Sequence, residues 1–264
     1  HGIGRRQRQM CIRDRIYNQI SGLNIYQNDD AGIQLHIGGR GLDPNRTSNF
    51  NTRQNSYDIS ADVLGYPESY YTPPAEAIKE IQIVRGAASL QYGTQFGGLI
   101  NFVLKEPPNK KIDAVIRNTI GSNNQYTNFT SIGGKKNKFS FYTFYNHKRG
   151  DGFRNNSNYK SNNVYVHLKQ NLSNKSELSG EVTYMNYLAK QAGGLSDRMF
   201  INNPLQSNRS RNWFELDWLL YNFKFKHRFN EKTNLSFSLF GLDAERNTVG
   251  FRTNRVDQVD PLTE

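Results

Sequence analysis

The sequence lacks three features that would each have fixed its class. It has one cysteine, Cys11, in 264 residues, which excludes a disulfide framework and a cysteine-based metal cluster. It has eight prolines, too few for a Pro-rich disordered chain. It contains no run of about 18 apolar residues, so a membrane-spanning helix is excluded. Two options remain: a soluble fold, or a chain that crosses a membrane on strands apolar on one face only. Fifteen Tyr and 16 Phe are many for a mean hydropathy of −0.77. Twenty-two glycines and frequent Asn suit a β protein rich in turns.

The net charge is +11, but it forms no basic helix or patch of the kind that nucleic-acid binding needs. Residues 1–15 carry five Arg and one Asp, a surplus of +4, and the other +7 is spread over strands and loops. The run Arg5-Arg6-Gln7-Arg8-Gln9-Met10-Cys11-Ile12-Arg13-Asp14-Arg15 resembles the translation of a transposase sequencing adaptor. Residues 1–15 are therefore expected to be an artefact joined to a truncated reading frame, and they are set aside from the fold.

After Pro107-Pro108 the chain falls into stretches of period two, the signature of strands. Ile112, Ala114, Ile116 and Ile120 alternate with Asp113, Arg117 and Thr119. Phe139, Phe141 and Tyr145 alternate with Ser140, Tyr142 and Asn146. The same pattern recurs at Val164–Lys169, Leu178–Tyr184, Tyr221–Phe229 and Leu235–Leu239. Tyr126–Ile132 alternates weakly and completes seven strands. Gly134–Asn137, Ser173–Lys175 and Asn230–Lys232 read as tight turns, whereas Gly150–Asn158 and Ala189–Asn212 read as long loops. Short turns at one end and long loops at the other fit an outer-membrane barrel. Tyr145, Tyr159, Tyr187, Trp213, Phe214 and Trp218 lie towards the long-loop ends, where an interfacial girdle is expected. Lys224, Lys226 and Arg228 make the polar side of one strand unsuited to a buried soluble core. A soluble sandwich or barrel is the alternative pattern.

Before Pro107 stands Ile81-Gln82-Ile83-Val84-Arg85-Gly86-Ala87-Ala88-Ser89-Leu90-Gln91-Tyr92-Gly93, followed by Gly97-Gly98-Leu99-Ile100-Asn101 and Lys105. This reads as strand, glycine turn, helical turn, Gly97-Gly98 turn and strand. It resembles the plug motif of TonB-dependent outer-membrane receptors through Arg85, Gly86, Ser89, Tyr92, Gly93, Gly97, Gly98, Ile100, Asn101 and Lys105, with Leu104 where the family usually has Thr. Ile37-Gly38-Gly39-Arg40-Gly41-Leu42-Asp43-Pro44 resembles a second family element, with Gly39 as a departure. Gly65-Tyr66-Pro67-Glu68, Tyr70-Tyr71 and Pro73–Glu76 resemble the ferric-citrate branch.

The resemblance implies an all-β-dominated chain: an α/β plug domain over 16–110, inside a transmembrane antiparallel β-barrel begun by 111–264. About seven strands of that barrel are expected here, where the family has about 22. It implies uptake of a ferric chelate, ferric citrate or another siderophore, across the bacterial outer membrane, energised by the TonB-ExbB-ExbD complex. Ferric citrate is the preferred cargo; the alternatives are a receptor of the same fold for cobalamin or an oligosaccharide and, from another class, a passive porin-like barrel.

Arg85 is either a latch to a barrel carboxylate or a solvated strand-end cation. Arg46 and Arg53, with Tyr66, Tyr70 and Tyr71, are candidates for a plug apex facing an anionic ferric complex, since Arg presents a planar fork of donors to carboxylates. Arg40 and Gly41 read as structural. Arg198, Arg209 and Arg211 either draw in an anionic ligand or meet outer-membrane lipid and lipopolysaccharide. The five His show no ligand spacing, so no resident metal or other cofactor is expected. No nucleophile–base set or phosphate loop occurs, which points away from an enzyme.

Overall fold

The computed structural model describes residues 23–26, 36–39, 41–44, 47, 49–63, 66–84 and 97–250. Residues 1–15, Arg40, Arg46, Arg85, Gly86, Ser89, Tyr92 and Gly93 lie outside them, as does the helical turn expected between the motif strands; of Tyr66 only the backbone is described. The chain divides into two units, His1–Lys105 and Glu106–Glu264, the break falling just before Pro107-Pro108.

In the first unit, β1 (Leu23–Tyr26) pairs antiparallel with β2 (His36–Gly39). β3 (Asn51–Gln54) and β4 (Tyr57–Asp58) form one hairpin, and β5 (Ala61–Val63) with β6 (Tyr66–Glu68) forms another. A 3₁₀ turn, Ala75–Ala77, leads into β7 (Ile78–Val84), and β8 (Leu99–Leu104) follows. Four strands make a sheet ordered β4-β3-β8-β7, with β3 and β8 parallel and the other pairs antiparallel. β8 takes a central place because Leu-Ile-Asn-Phe-Val-Leu has no polar face to offer water; Leu99, Ile100, Phe102 and Leu104 are all buried. The two motif strands pair as the sequence suggested. β7 begins earlier than the alternation shows because a bulge between Ile78 and Glu80 breaks its period.

The second unit is an antiparallel meander in chain order: β9 (Asp113–Ile120), β10 (Tyr126–Lys136), β11 (Phe139–Gly150), β12 (Tyr159–Asn171), β13 (Ser176–Lys190), β14 (Trp213–Arg228) and β15 (Asn234–Val249). A short helix, α1 (Asp197–Asn202), interrupts the connection between β13 and β14. All seven expected strands are present. Gly134–Lys136 belong to β10 rather than to a turn, which shrinks to Asn137-Lys138 with Asn137 at φ 55°. The two glycines there serve a close approach. A Cβ on Gly133 would stand 2.6 Å from Pro108 Cδ, and one on Gly134 2.3 Å from the Lys111 carbonyl oxygen. The segment entering the sheet thus lies along β10, where the Lys135 amide donates to the Lys110 carbonyl at 2.7 Å.

Cross-strand register gives the sheet two unlike faces. One carries Ile116, Phe139, Val164, Leu168, Val182, Phe223, Phe237 and Leu239, all exposed. The other is mixed, and over β10–β14 it is largely buried. Phe129, Phe144, Tyr165, Tyr187, Leu216 and Trp218 lie among Asn146, Asn163, His167, Glu181 and Asn222. Ring centroids of Phe144 and Tyr165 are 5.3 Å apart, and the Tyr165 hydroxyl donates to Glu181 Oε2 at 3.1 Å. At the short-turn end of this face Lys169 Nζ meets Glu177 at 2.8 Å and Glu106 at 3.8 Å, and Lys226 meets Glu177 at 3.7 Å. A soluble one-sided sheet has the opposite arrangement, apolar face hidden and polar face wet.

A polar row crosses the exposed face, with Ile120 and Leu188 the exposed aliphatic residues of the next row. Asn118, Asn128, His147, Asn162, Asn186, Asp217 and Glu245 stand in one register row across all seven strands. Tyr145 and Tyr184, on the apolar side of the row, donate upward to Asn162 at 2.9 Å and Asp217 at 2.6 Å. These two, with Trp213, are the aromatics a girdle requires. Tyr159, Tyr187, Phe214 and Trp218, expected in the girdle, match it in height alone. Their strand parity puts them on the opposite face, where Tyr159, Tyr187 and Trp218 are buried.

Among the described residues β9 and β15 are edges with no further partner, and the sheet is open. Ile116 at 70% and Phe237 at 58% exposure lie on those edges. In detergent-free buffer the chain is expected to self-associate through them. Light scattering checks this, and a monodisperse monomer in water would contradict the edge assignment.

Candidate functional site

Two glycine-rich stretches far apart in sequence meet on one aromatic ring. Gly38-Gly39 ends β2, and Gly97-Gly98 opens β8. A Cβ on Gly39 would lie 2.4 Å from the Gly97 carbonyl oxygen, and one on Gly97 would lie 2.4 Å from that of Asn49. Gly98 adopts φ +133°, which L side chains rarely take. The ring of Phe50 lies 3.1 Å from the Cβ position of each of these three glycines, and Phe50 is fully buried. The Gly97 amide donates to Asn49 at 2.8 Å and the Asn51 amide to Gly98 at 2.9 Å. Gly41, at φ +76°, turns the chain just after this contact, with the Leu42 amide donating to Gly39 at 3.1 Å. Phe50 had no motif to mark it; a lone aromatic in an Asn-rich stretch reads as loop.

Asn101 links three elements. Its Oδ1 accepts from the Ser56 amide at 2.8 Å, and its Nδ2 donates to Gln82 Oε1 at 2.9 Å. Asn55 and Ser56, both at positive φ, are the two-residue loop joining β3 to β4, a geometry that favours tight hairpins. Asn55 Oδ1 in turn accepts from the Leu104 amide at 2.9 Å. The motif asparagine therefore fastens the hairpin to both β7 and β8.

Arg53 sits on this hairpin, and the hairpin uses its guanidinium. Nε donates to Asn51 Oδ1 at 2.8 Å and Nη1 to the Ser56 carbonyl at 2.8 Å, while Nη2 lies 3.9 Å from Asp58. Its side chain is 12% exposed. Tyr70 and Tyr71 are buried as well, at 4% and 1%, so a ligand reaching either ring must first displace packing.

In the second unit the long loops are braced, and one arginine does most of the bracing. Arg154, in the loop 151–158, donates from Nε to the Gln206 carbonyl at 2.9 Å. Its two Nη atoms donate to Gly193 at 2.8 Å and Ala192 at 3.4 Å. Asn156, at φ 56°, places its Nδ2 near the carbonyls of Gln191, Arg209 and Asn212. Together they fix the loop 191–212 against its neighbour. Arg154 and Asn156 were not foreseen, because carbonyl partners leave no trace in composition. On that loop Arg198 and Arg211 are exposed, whereas Arg209 is half-buried and donates to the Asn208 carbonyl at 2.7 Å. Among the described residues no three His, Cys, Asp or Glu side chains gather as metal ligands would, and no helix is long and apolar enough to cross a membrane.

No family model matches the sequence, and no curated protein matches it. Solved structures do. The unliganded ferric citrate transporter FecA is similar with a TM-score of 0.77 at 20% identity, over 89% of this chain and 37% of that chain. The chain has the fold of the TonB-dependent receptors. The siderophore receptor PirA from Pseudomonas aeruginosa is similar at 0.63 and 14%, over 89% of this chain and 38% of that one. The alcaligin receptor FauA from Bordetella pertussis gives 0.63 and 16%, over 89% and 36%. This chain thus spans little more than a third of the length of each receptor. These neighbours are transporters and receptors rather than enzymes.

Gly97→Ala should destabilise the first unit by about 1–3 kcal/mol, because the added carbon meets backbone that cannot turn aside. Gly194→Ala, with open space around it, should cost far less. Chemical denaturation of the two variants checks the difference.

Proposed function

We propose that this chain is part of an energy-coupled importer that carries a ferric chelate across the bacterial outer membrane, with an anionic ferric polycarboxylate such as ferric citrate as its cargo. One observation carries the reading: the seven-stranded sheet wears its apolar band outside and hides its polar face. Hydrocarbon rewards that inversion and water does not. Strands of 11 to 16 residues over β10–β15 suffice where about 9–11 tilted residues cross the apolar layer. The Tyr145 and Tyr184 hydroxyls and the amide row above them suit the water interface.

The glycine-knit first unit favours an importer over a passive pore, which has no use for such a unit. We assign it as the plug and the TonB-ExbB-ExbD complex as the energy source. Iron travels as part of the cargo, and no resident cofactor takes part. Arg198 and Arg211 are the exposed loop cations suited to gathering an anionic chelate. Arg53 is better suited to holding its hairpin than to reaching a ligand. Arg46 stays with the cargo-facing set on sequence grounds.

Deleting the complete gene should abolish growth with ferric citrate as sole iron source; unchanged growth would overturn the cargo. Replacing Arg198 and Arg211 with Gln should slow uptake several-fold at low ionic strength and much less at high salt. Val182, in the middle of the exposed band, tests the membrane itself. Val182→Arg should cost about 2–4 kcal/mol in lipid bilayers, measured by urea unfolding from vesicles, and a cost near zero would argue for an aqueous face.

A further inference from the structure

The polar face of the second unit carries a ladder that only the register reveals. Lys135, Ser140, Lys169, Ser179, Lys224 and Ser238 are successive partners across β10–β15, near the short-turn end. Two of the three lysines are engaged. Lys135 Nζ donates to Asn109 Oδ1 at 3.1 Å, and Lys169 Nζ pairs with Glu177 at 2.8 Å. The half-buried Lys224 ammonium joins no ion pair or hydrogen bond among the described residues.

One step deeper on the same face of β14 stands Asn222, 1% exposed. Its Oδ1 accepts from Ser238 Oγ at 2.7 Å, and its buried Nδ2 has no partner among the described residues. A buried donor left unmet and a half-buried cation left unpaired are each costly. Here their Cα atoms stand about 7 Å apart, two residues along one strand. Ser179, the direct register partner of Lys224, is buried beside them. Three donors therefore border one spot.

The remaining border is an acceptor. Glu181 is the register partner of Asn222 on one side and of His167 on the other, and it is buried. Its Oε2 accepts from the Tyr165 hydroxyl, and a carboxylate has about four acceptor positions, so it can take a further donor. Lys226, next along β14 towards the short turns, has a side chain 53% exposed, and the spot is approached from that end.

We propose that Lys224, Ser179, Asn222 and Glu181 form a site for a small oxyanion that carries a hydroxyl of its own. The oxyanion oxygens take the three donors, one of them charged, and the hydroxyl donates to Glu181. An anion without a hydroxyl sets its charge against that carboxylate with no hydrogen bond to offset the repulsion. Hydroxycarboxylates and hydrogen phosphate share this chemistry. The site is separate from the loop cations Arg198 and Arg211, and it rests on the register of the sheet rather than on the cargo.

Isothermal titration calorimetry on the full chain in detergent micelles tests the site. The probes are malate against succinate and hydrogen phosphate against sulfate, at one ionic strength. The hydroxyl-bearing member of at least one pair should bind about tenfold more tightly, the worth of one hydrogen bond. The pair that shows the larger preference names the source. Lys224→Gln should weaken binding about tenfold and Ser179→Ala several-fold. Lys232→Gln, in the neighbouring short turn, should bind like the parent. Circular dichroism checks that each variant keeps its sheet. No preference within either pair, or parent-like binding by a folded Lys224→Gln chain, overturns the site and leaves the importer reading standing. If Lys224→Gln loses its sheet, Ser179→Ala decides, and parent-like binding by that variant overturns the site.

Discussion

Inside hydrocarbon a backbone amide or carbonyl has no water to turn to, so a strand can reside there only if its neighbours complete its hydrogen bonds. The second unit is organised around that demand. Its strands pair in unbroken register from β9 to β15, and the register sorts side chains onto two faces. Once pairing is fixed, parity decides which residues fall on the exposed apolar face. The exposed aliphatic band, the polar row that crosses its face and the tyrosines that donate to that row all follow from this parity.

The first unit answers a different problem, the close passage of chain segments. Gly39, Gly97 and Gly98 are small so that β2, the start of β8 and Phe50 can touch. Asn101 and Asn55 then supply hydrogen bonds that the short β3–β4 hairpin cannot make from its own backbone. The motif that looked like a signature of function is, in its described part, a set of packing and capping residues. Gly39 and Gly97 are intelligible only together, since a Cβ on Gly39 would stand 2.4 Å from the Gly97 carbonyl oxygen.

Much of the fold could be read directly from the residues. Val164–Lys169 and Tyr221–Phe229 alternate cleanly; the first lies within β12, and the second lies within β14 up to Arg228. Tyr126–Ile132 alternated weakly because β10 sets Phe129 and Ser131 on one face against Asn128 and Thr130 on the other, so neither face is purely apolar. Its final residues looked like a turn because Gly133 and Gly134 are there to admit Pro108 and Lys111. The site was less legible. Arg53 and Arg154 are both arginines in polar, Asn-containing stretches, and nothing in their neighbours says that each is spent on carbonyls close by. Tyr70 and Tyr71 read as exposed aromatics from their polar context, yet both are buried.

The sequence by itself determined what is periodic or local: seven alternating strands, the polarity of their faces, the tight turns, and a glycine-rich motif with its family likeness. These follow from side-chain spacing along one strand, which needs no partner to be visible. The tertiary structure alone decided which aromatics share a face, which distant glycines meet on Phe50, and which arginines are committed to backbone. Each of those depends on cross-strand register or on contacts between segments distant in sequence, and no residue carries that information in its own neighbourhood.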